Sequence, residues 1–324
     1  MNKREFIENI SWIKRNQNAD GSIQWDEKGK CDPWDHIECL IALAIYNENE
    51  SFLAGIEWVR NNLNEEFMVA PVFHRQKASE DHFEYHHAPY FAVALLQYYY
   101  SSNNKKVLHD NLEILRGIVL KTLAARDEYG YFYWAKDENG FNDNSLITAT
   151  SSIFLSLKCV SAIYKILGIR SLKLENEIAS IKQTFDLKSK RFNRDNIDRS
   201  RFSMDCYYPY LSGLIMDAGL NRNLEKFYVK DLGIKCVIEE PWVTIAESSE
   251  AIIALLRSGD KAFAHKIFEN ILKLRGTDGL FPTGYQYEQK IFWPDEKSTW
   301  TNAAVVIAAD ALFDLTSKNK AILV

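Results

Sequence analysis

Cysteine is scarce in this chain of 324 residues, and no run of lysine and arginine interleaves with aromatic residues. The five cysteines are odd in number and none form a C-x-x-C pair, a pattern that indicates reduced thiols and a cytoplasmic protein. The net charge is -5. Without a basic and aromatic surface pattern, a nucleic-acid partner is not expected.

Long hydrophobic runs are also missing. The longest uncharged run, residues 85–104, contains histidine, glutamine, serine and asparagine, which makes it a poor transmembrane helix. Residues 1–18 have the pattern of a charged amphipathic helix and not that of a signal peptide. No linker separates two halves of the chain, so we predict a single domain over residues 1–324.

The stretch from Cys31 to Tyr46 shows the pattern on which the fold prediction depends. Its first half contains a proline and two aspartates, of which Asp32 or Asp35 would serve as a helix N-cap. Its second half has small and aliphatic residues on almost every side of a helix. Because a helix that is apolar all round is buried on all sides, a polar segment here leads into a fully buried helix.

This pattern recurs six times along the chain, with the roughly 40- to 60-residue period of a repeat architecture. In each unit a glycine-rich or aromatic loop precedes a polar segment, which we call a gate, and the gate precedes a helix of small residues. The predicted inner helices span residues 34–46, 90–100, 147–167, 209–218, 245–257 and 302–315.

More polar helices are predicted between the inner ones. Their apolar residues are spaced by three and four positions, which indicates burial on one face. They span residues 3–15, 50–62, 105–125, 173–185, 223–229 and 261–274. Inner helices need neighbours on every side, and a closed ring provides them. We therefore predict an all-α fold, an α/α toroid and more specifically an (α/α)6 barrel of six inner and six outer helices, with the gates gathered at one mouth.

The most polar segment, residues 188–201, has two interpretations. It is a solvated loop, or it is a lid whose arginines meet an anionic group such as a phosphate. The sequence leaves both open.

Two short motifs connect the chain with a known superfamily. Residues 17–22 (Gln-x-x-Asp-Gly-Ser) are similar to the Q-W type repeat of terpenoid cyclases, and residues 275–281 (Arg-Gly-Thr-Asp-Gly-Leu-Phe) resemble the glycine-rich repeat of protein prenyltransferase β subunits. The gates at residues 32–36 and 299–301 resemble those of bacterial prenyltransferase-like proteins. This resemblance implies a toroid and an isoprenoid substrate.

The chain departs from that superfamily at its reactive groups. It has no D-x-D-D motif for protonating a substrate. Residues 205–207 (Asp-Cys-Tyr) resemble part of the prenyltransferase zinc site, but the expected histidine would fall near Thr301. Since a zinc site needs three or four ligands, we expect no metal and no cofactor.

Residues 32–35 (Asp-Pro-Trp-Asp) resemble the D-x-W-E acid segment of the six-hairpin glycosidases, which share the ring architecture. That resemblance implies a carbohydrate substrate. Because one fold hosts many functions, the choice between glycan and isoprenoid depends on the site residues.

Carboxylates and aromatic side chains would meet at one mouth if the gates converge. Crowded carboxylates repel one another, so one pKa rises and that group can act as an acid while another acts as a base. We select Asp35 and Glu247 as the acid/base pair of a glycoside-cleaving site, with Asp205 as a third catalytic candidate. Each also has a structural alternative: an N-cap for Asp35, a contact with its own first turn or an outer-helix arginine for Glu247, and a brace for the loop before Pro209 for Asp205.

Ten further residues near the gates are predicted to bind the substrate, because sugar rings need flat aromatic faces and hydrogen-bonding groups at their edges. They are Trp34, His36, Glu38, His87, Trp134, Tyr207, Tyr208, Trp242, Tyr285 and Trp300. A buried ion pair is the alternative for Glu38 and for Glu250. His86 and His87 should point to different faces of a helix and so should not share a metal ion.

Three functions fit these patterns. The favoured one is an enzyme that acts on a glycosyl substrate by carboxylate acid/base chemistry. An isoprenoid enzyme or isoprenoid-binding protein is the first alternative, and its cavity should be lined by phenylalanine, leucine and tyrosine, with a cation or a metal for diphosphate. A non-enzymatic scaffold is the second, and it should show carboxylates paired in salt bridges and no open cavity.

Overall fold

The computed structural model describes residues 1–79, 81–193, 196–217, 219–316 and 319–324. Within these residues the protein is mainly helical. The α-helices are α1 (Ile7–Arg15), α2 (Pro33–Ile45), α3 (Asn49–Asn61), α4 (His87–Ser102), α5 (Lys105–Asp110), α6 (Leu112–Ala124), α7 (Ile147–Ile166), α8 (Leu172–Thr184), α9 (Ser203–Ser212), α10 (Leu220–Leu224), α11 (Ile245–Ser258), α12 (Lys261–Leu272) and α13 (Thr299–Phe313).

Short antiparallel strands lie in the loops, and the sequence pattern did not predict them. They are β1 (Lys30–Cys31), β2 (Phe73–His74), β3 (Lys77–Ala78), β4 (Phe83–Glu84), β5 (Ala135–Asp137), β6 (Gly140–Phe141), β7 (Tyr228–Val229), β8 (Gly233–Lys235), β9 (Trp242–Thr244), β10 (Gly284–Gln286) and β11 (Ile291–Phe292). They form sheets of order β1-β2-β3, β4-β5-β6 and β11-β10-β9-β8-β7. Strands of two or three residues are too short to show an alternating pattern in the sequence.

Six helices of the described chain form a closed ring. Helix α2 packs against α4, α4 against α7, α7 against α9, α9 against α11, α11 against α13, and α13 returns to α2. Every residue of α2 is buried. The α/α toroid predicted from the sequence is confirmed, because helices that are apolar all round have neighbours on all sides. One continuous cluster of buried apolar side chains runs through the ring.

Other helices pack outside this ring, each mainly on one inner helix. Helix α3 lies on α2, α6 on α4, α8 on α7, α10 on α9, α12 on α11, and α1 on α13. Their burial is one-sided: in α8 only Leu174 and Ile181 are buried. The outer layer thus has the amphipathic character that the three-four spacing indicates.

Two outer helices differ from their predicted extent. The helix predicted over residues 105–125 is interrupted at Asn111, whose side-chain amide donates to the carbonyl of Val107 at 2.8 Å and so caps α5. The helix predicted over residues 223–229 is shifted to α10, and the chain then enters strand β7.

Helix α9 also begins earlier than predicted. The proline at position 209 indicated a helix over residues 209–218, of which Ala218 lies outside the described residues. The helix starts instead at Ser203, contains Pro209, and ends before Gly213, whose φ is 78°. Glycine adopts this left-handed conformation without a Cβ penalty and therefore ends the helix. The shift moves Asp205 from a loop into the first turn of an inner helix.

Polar caps fix where the inner helices begin. The Asp32 carboxylate accepts from the Trp34 backbone N–H at 2.8 Å, and Pro33 at the first helical position already has a helical φ. At α13 the Ser298 hydroxyl accepts from the Thr301 backbone N–H at 3.0 Å. The caps set which first-turn side chains face the mouth of the ring.

Helix α7 has the length and hydropathy of a membrane-spanning helix, which the sequence analysis did not single out. The most apolar 18-residue stretch of this helix is 78% buried inside the protein. Because α7 packs between α4 and α9, its position in the ring accounts for its apolar composition.

Candidate active site

The N-terminal ends of the inner helices surround one pocket. Its volume is about 270 Å³, and its lining comes from the starts of α2, α4, α7, α9 and α13. The lining residues are Asp32, Trp34, Asp35, Glu84, His86, His87, Thr148, Met204 and Trp300. The sixth inner helix, α11, carries Glu247 in its first turn.

The three predicted catalytic carboxylates occupy the same position in three inner helices. Asp35, Asp205 and Glu247 are each the third residue of their helix. A carboxylate there lies next to free backbone N–H groups and the positive end of the helix dipole. All three side chains are buried, so their partners must distinguish a catalytic group from a structural one.

Asp35 lines the pocket and has a strongly shifted pKa. Burial raises this pKa well above its ordinary range, and the charge of Asp32 raises it further. Lys30 opposes the rise, whereas Glu38 and Glu247 add to it. Asp35 therefore keeps its proton at a pH where a surface aspartate is ionised, and it can donate that proton to a group in the pocket.

Glu247 belongs to another helix but lies within electrostatic range of Asp35, whose pKa it raises. The thiol of Cys236 lies beside it, and burial followed by the charge of Glu247 raises the pKa of that thiol. Among the described residues neither Asp35 nor Glu247 forms a salt bridge, in contrast to Asp205. Asp35 lines the pocket, whereas Glu247 is not among its lining residues.

Two more carboxyl groups lie one helical turn deeper. Glu38 accepts hydrogen bonds from the Tyr90 hydroxyl at 3.0 Å and from the Trp300 indole N–H at 2.9 Å, and Glu250 accepts one from the Tyr207 hydroxyl. Burial raises the pKa of Glu38 to about 7. Burial and then the charge of Glu38 raise the pKa of Glu250. The sequence left open a buried ion pair for Glu38 and for Glu250. In the structure both carboxyl groups accept from neutral tyrosine and tryptophan donors instead.

Aromatic rings form the floor of the pocket. Trp34 stacks on Tyr90 with ring centroids 4.3 Å apart, and Tyr208 approaches Trp34 at 5.6 Å. Helices α2 and α9 stand on opposite sides of the ring, so the contact of Trp34 with Tyr208 spans its centre. The mouth therefore has an apolar floor with a hydrogen-bonded carboxyl layer beside it.

Asp205 is held by two neighbours. Arg199 Nε donates to one carboxylate oxygen at 2.7 Å, and the Thr148 hydroxyl donates to the other at 2.7 Å. Asp205 and Arg199 line a separate cavity of about 340 Å³. Because Thr148 lines the pocket, these contacts give Asp205 the geometry of a positioning residue between α7 and α9.

The ion pair between Arg199 and Asp205 helps to decide whether the polar segment over residues 188–201 is a solvated loop or an anion-binding lid. Within it Arg199 binds Asp205, and Arg191 forms an ion pair with Asp127 at 3.2 Å. Arg194 and Asp195 lie outside the described residues. Two of the arginines proposed for a lid thus already have carboxylate partners.

Glu84, His86 and His87 form a polar cluster in the pocket wall. The two imidazole rings are 4.3 Å apart, and the Glu84 carboxylate lies 3.6 Å from His86 Nδ1 and 4.0 Å from His87 Nε2. The three groups offer ligand atoms within 4.8 Å of one another and could hold a metal ion. The expectation that the two histidines point apart is wrong, because their ligand atoms lie on the same side, within reach of Glu84. Burial, followed by the effect of His87, lowers the pKa of His86, so its imidazole is neutral.

His36 does not face the pocket, so the prediction that it binds substrate is corrected. It is fully buried, its Nδ1 accepts from the Ile23 backbone N–H at 3.1 Å, and its Nε2 lies 3.1 Å from the Gly55 carbonyl. Burial lowers its pKa to about 4. A neutral imidazole with both nitrogens bound to backbone groups joins α2 to α3 and has no free edge for a ligand.

The remaining predicted binding residues fall into three groups. The pocket lining includes Trp34, His87 and Trp300. Fully or largely buried beneath it are Glu38, Tyr207 and Tyr208. Outside the lining lie Trp134, which contacts the ring of His82 at 5.6 Å, and Trp242 and Tyr285, which belong to strands β9 and β10.

Several residues at the site were not selected from the sequence. They are Tyr90, Thr148 and Met204. Each lies within or just before the first turns of an inner helix, so an alignment of the six helix starts could have found most of them. Met204 was hidden because the start of α9 was placed too late.

No family model matches the chain, but solved structures share its fold. A glycosidase in its wild-type form aligns with a TM-score of 0.67 at 14% identity, over 96% of this chain and 99% of that chain. A sugar epimerase from a ruminal bacterium aligns with a TM-score of 0.66 at 15% identity, over 95% and 97% of the two chains. At these identities the likeness shows the fold alone, which is that of the predicted toroid.

These comparisons do not support the resemblance to terpenoid cyclases and prenyltransferases. A curated relative, MMP endo-(1,4)-3-O-methyl-alpha-D-mannosidase from Mycolicibacterium hassiacum, is 30% identical over 308 residues. The match covers 94% of this chain and 84% of the relative. The chain therefore belongs to the family of this endo-mannosidase.

Proposed function

We propose that the protein is a carbohydrate-active enzyme that hydrolyses internal 1,4-linkages between 3-O-methyl-α-D-mannose units. The name of its relative supplies this substrate class. The observation that carries the proposal is the pairing of Asp35 with Glu247, a carboxyl group of raised pKa and a second carboxyl group within its electrostatic range. They lie in the first turns of two inner helices at the mouth of the ring.

The reaction uses the two carboxyl groups in different roles. Asp35 donates its proton to the glycosidic oxygen while the bond from that oxygen to the anomeric carbon breaks. Glu247 acts at the opposite face of the sugar, where it takes a proton from the attacking water or first attacks the anomeric carbon itself. Either route places the water oxygen on the anomeric carbon and leaves one proton on the departing hydroxyl.

The pocket wall offers both kinds of contact that a methylated sugar needs. Trp34 and Trp300 present indole rings to C–H surfaces and methyl groups, and the bond from Trp300 to Glu38 fixes the orientation of that indole. Glu84 and His87 lie in the wall, where they can bind hydroxyl groups. Burial of such flat, rigid aromatic groups gives affinity at low entropy cost.

The two rival functions fit this pocket less well. None of its lining residues is lysine or arginine, and the carboxylates of Asp32 and Glu84 would repel the diphosphate of an isoprenoid substrate. A scaffold should have an occluded mouth and paired carboxylates, whereas here a cavity of about 270 Å³ is lined by Asp35, which forms no salt bridge among the described residues. The geometry thus favours hydrolysis of a neutral glycan.

Single substitutions at the two carboxyl groups test the proposal. Asp35→Asn and Glu247→Gln should each lower kcat for a 1,4-linked 3-O-methyl-α-mannan by about 10²- to 10⁴-fold, the usual contribution of acid/base groups. The thermal melting temperature should change little. Chromatography of the released oligosaccharides measures activity, and NMR of the first-formed anomer distinguishes the two roles of Glu247.

Asp205→Asn is the matched control, since Asp205 occupies the same helical position but is paired with Arg199. It should lower the melting temperature and reduce activity much less than the other two changes. Full activity in Asp35→Asn or Glu247→Gln, or an equal loss in all three variants, would contradict the assigned roles.

A further inference from the structure

A second cavity lies on the five-stranded sheet, apart from the pocket. Its volume is about 330 Å³, and it shares no lining residue with the pocket. The lining residues are Val237, Glu240, Pro241, Trp242, Gln286, Gln289 and Trp293. We call this surface the tryptophan platform.

The two tryptophans of the platform are held in fixed relative orientation. Their ring centroids are 5.0 Å apart at an interplanar angle of 78°, and the Trp242 indole N–H donates to the Trp293 carbonyl at 2.7 Å. Trp293 is nevertheless 52% exposed, and its neighbours Ile291 and Phe292 are also exposed. Large apolar groups clustered on a surface in this way are typical of a binding site.

Polar groups surround these rings, and none of them is cationic. Gln286 and Gln289 supply amides, and Glu240 supplies an exposed carboxylate. The side-chain oxygen of Gln286 (Oε1) accepts from the Gln289 backbone N–H at 2.6 Å, which leaves the side-chain NH₂ of Gln286 as a donor. A flat aromatic face beside amide donors and acceptors matches a neutral sugar ring, which has a C–H face and a rim of hydroxyl groups, and the lining has no lysine or arginine to attract an anion.

The platform is connected to the candidate active site by a short piece of chain. Trp242 begins strand β9, and α11 follows directly with Glu247 as its third residue. Five residues of chain span at most about 18 Å, so the two Cα atoms cannot lie further apart. A glycan chain that occupies the pocket can therefore reach the platform within a few sugar units.

We propose that the tryptophan platform is a distal binding subsite for a neutral, partly O-methylated glycan whose cleaved bond lies in the pocket. The inference rests on the proposed function and adds where the outlying sugar units bind. Methylated sugars present more apolar surface than free ones, so stacking on Trp293 contributes more to their binding. Substrates long enough to reach the platform gain affinity, and short ones do not.

The test compares long and short 1,4-linked 3-O-methyl-α-mannosides as substrates. Trp293→Ala should lower kcat/KM about tenfold for the long substrate, because an exposed aromatic residue that stacks on the sugar is lost. The same variant should leave kcat/KM unchanged for the shortest substrate that the enzyme hydrolyses. Trp293→Phe keeps a flat face and should recover most of the loss. Tyr129→Ala, at an exposed aromatic residue on another loop, should change neither value.

A binding measurement shows whether the platform inference fails independently of the proposed catalytic function. Titration of the long glycan into the Asp35→Asn variant, followed by tryptophan fluorescence, should show weaker binding when Trp293→Ala is added. An equal loss for long and short substrates, or no loss for the long one, would overturn the platform while leaving the catalytic proposal intact. Full activity of Asp35→Asn would instead overturn the catalytic proposal, and the titration would still decide whether the platform binds glycan.

Discussion

At the scale of single residues, the site depends on carboxyl groups that have been buried without cations. Asp35, Glu38 and Glu250 all have raised pKa values, in each case with burial as the largest cause. The hydrogen-bond partners of Glu38 and Glu250 are tyrosine and tryptophan, which stabilise a carboxylate without neutralising it. Any negative charge on Glu38 raises the pKa of Asp35 further.

Replacement of Glu38 by Gln should flatten the pH dependence of stability. The pKa of Glu38 is about 7 in the folded state against a reference value of 4.5, so the folded protein holds this proton more tightly than the unfolded chain. The stabilisation is complete below about pH 4.5 and is lost as the pH rises through 7. Glu38 should account for a loss on the order of 3 kcal/mol over this range, and Glu38→Gln should lose less stability than the wild type by about that amount.

Urea denaturation at a series of pH values measures this slope. Glu38→Gln lowers the overall stability as well, because one amide cannot accept from both Tyr90 and Trp300 as two carboxylate oxygens do. The slope is therefore the informative quantity. Glu113→Gln, at an exposed side chain, should keep the wild-type slope, and an unchanged slope in Glu38→Gln would contradict the assignment.

At the scale of secondary-structure elements, the starts of the inner helices decide what the mouth can do. Asp32 has two separable effects at the start of α2. Its side chain caps the helix, and its charge is the second-largest cause of the raised pKa of Asp35. A change that keeps the cap but removes the charge distinguishes these effects.

Asp32→Asn should keep the cap, because asparagine is an equally good N-cap residue. It should lower the pKa of Asp35, so that activity is lost at a lower pH on the alkaline side of the pH–rate profile. Asp32→Ala should shift the profile in the same direction and also cost about 1 kcal/mol of stability. Profiles of kcat/KM and denaturation curves measure the two effects, and an unshifted alkaline limb in Asp32→Asn would show that its charge does not act on the acid.

The same elements show how far the sequence could predict the structure. Inner helices were predictable because their apolar character on all faces has one physical explanation, burial in a ring. The start of α9 was not, because Pro209 is a common first-turn residue and the true start is held by residues distant in sequence, such as Cys236, whose carbonyl accepts from the Ser203 backbone N–H at 3.0 Å. His36 was misassigned because sequence spacing does not show which side of a fully buried helix faces the outer layer. The partners of Glu38 were not predictable, since Tyr90 and Trp300 come from two other helices.

At the scale of the whole molecule, the candidate site exists only if the ring closes. Helix α13 returns to α2, and α1 packs against α13, so the first and last parts of the chain meet beside the mouth. We propose a single domain over the whole chain, since one continuous core runs through the ring. The five cysteines are free, and the cytoplasmic location and the lack of a nucleic-acid partner stay predictions.

The junction between α1 and α13, which we call the seam, can be weakened at one buried side chain, Asn302 of α13. Its carbonyl oxygen accepts from the Asn9 amide at 2.8 Å and from the Phe281 backbone N–H at 3.0 Å, and its own amide donates to the Ser298 carbonyl at 2.8 Å. Asn302→Ala leaves two buried donors without an acceptor. We expect a loss of about 2–5 kcal/mol in unfolding free energy, because each unsatisfied buried donor costs about 1–3 kcal/mol.

The double variant Asn9→Ala with Asn302→Ala shows whether these two side chains stabilise the protein together or independently. If the two side chains act together across the seam, the double variant should lose at least about 0.5 kcal/mol less than the sum of the single losses in chemical denaturation. Asn111→Ala removes a buried asparagine whose side-chain amide donates a hydrogen bond to Val107, four residues earlier in the chain. Its stability loss should show no coupling with that of Asn9→Ala. Additive losses at Asn9 and Asn302 would mean that the bond between these two side chains does not hold α1 to α13, and that apolar packing between the two helices forms the seam.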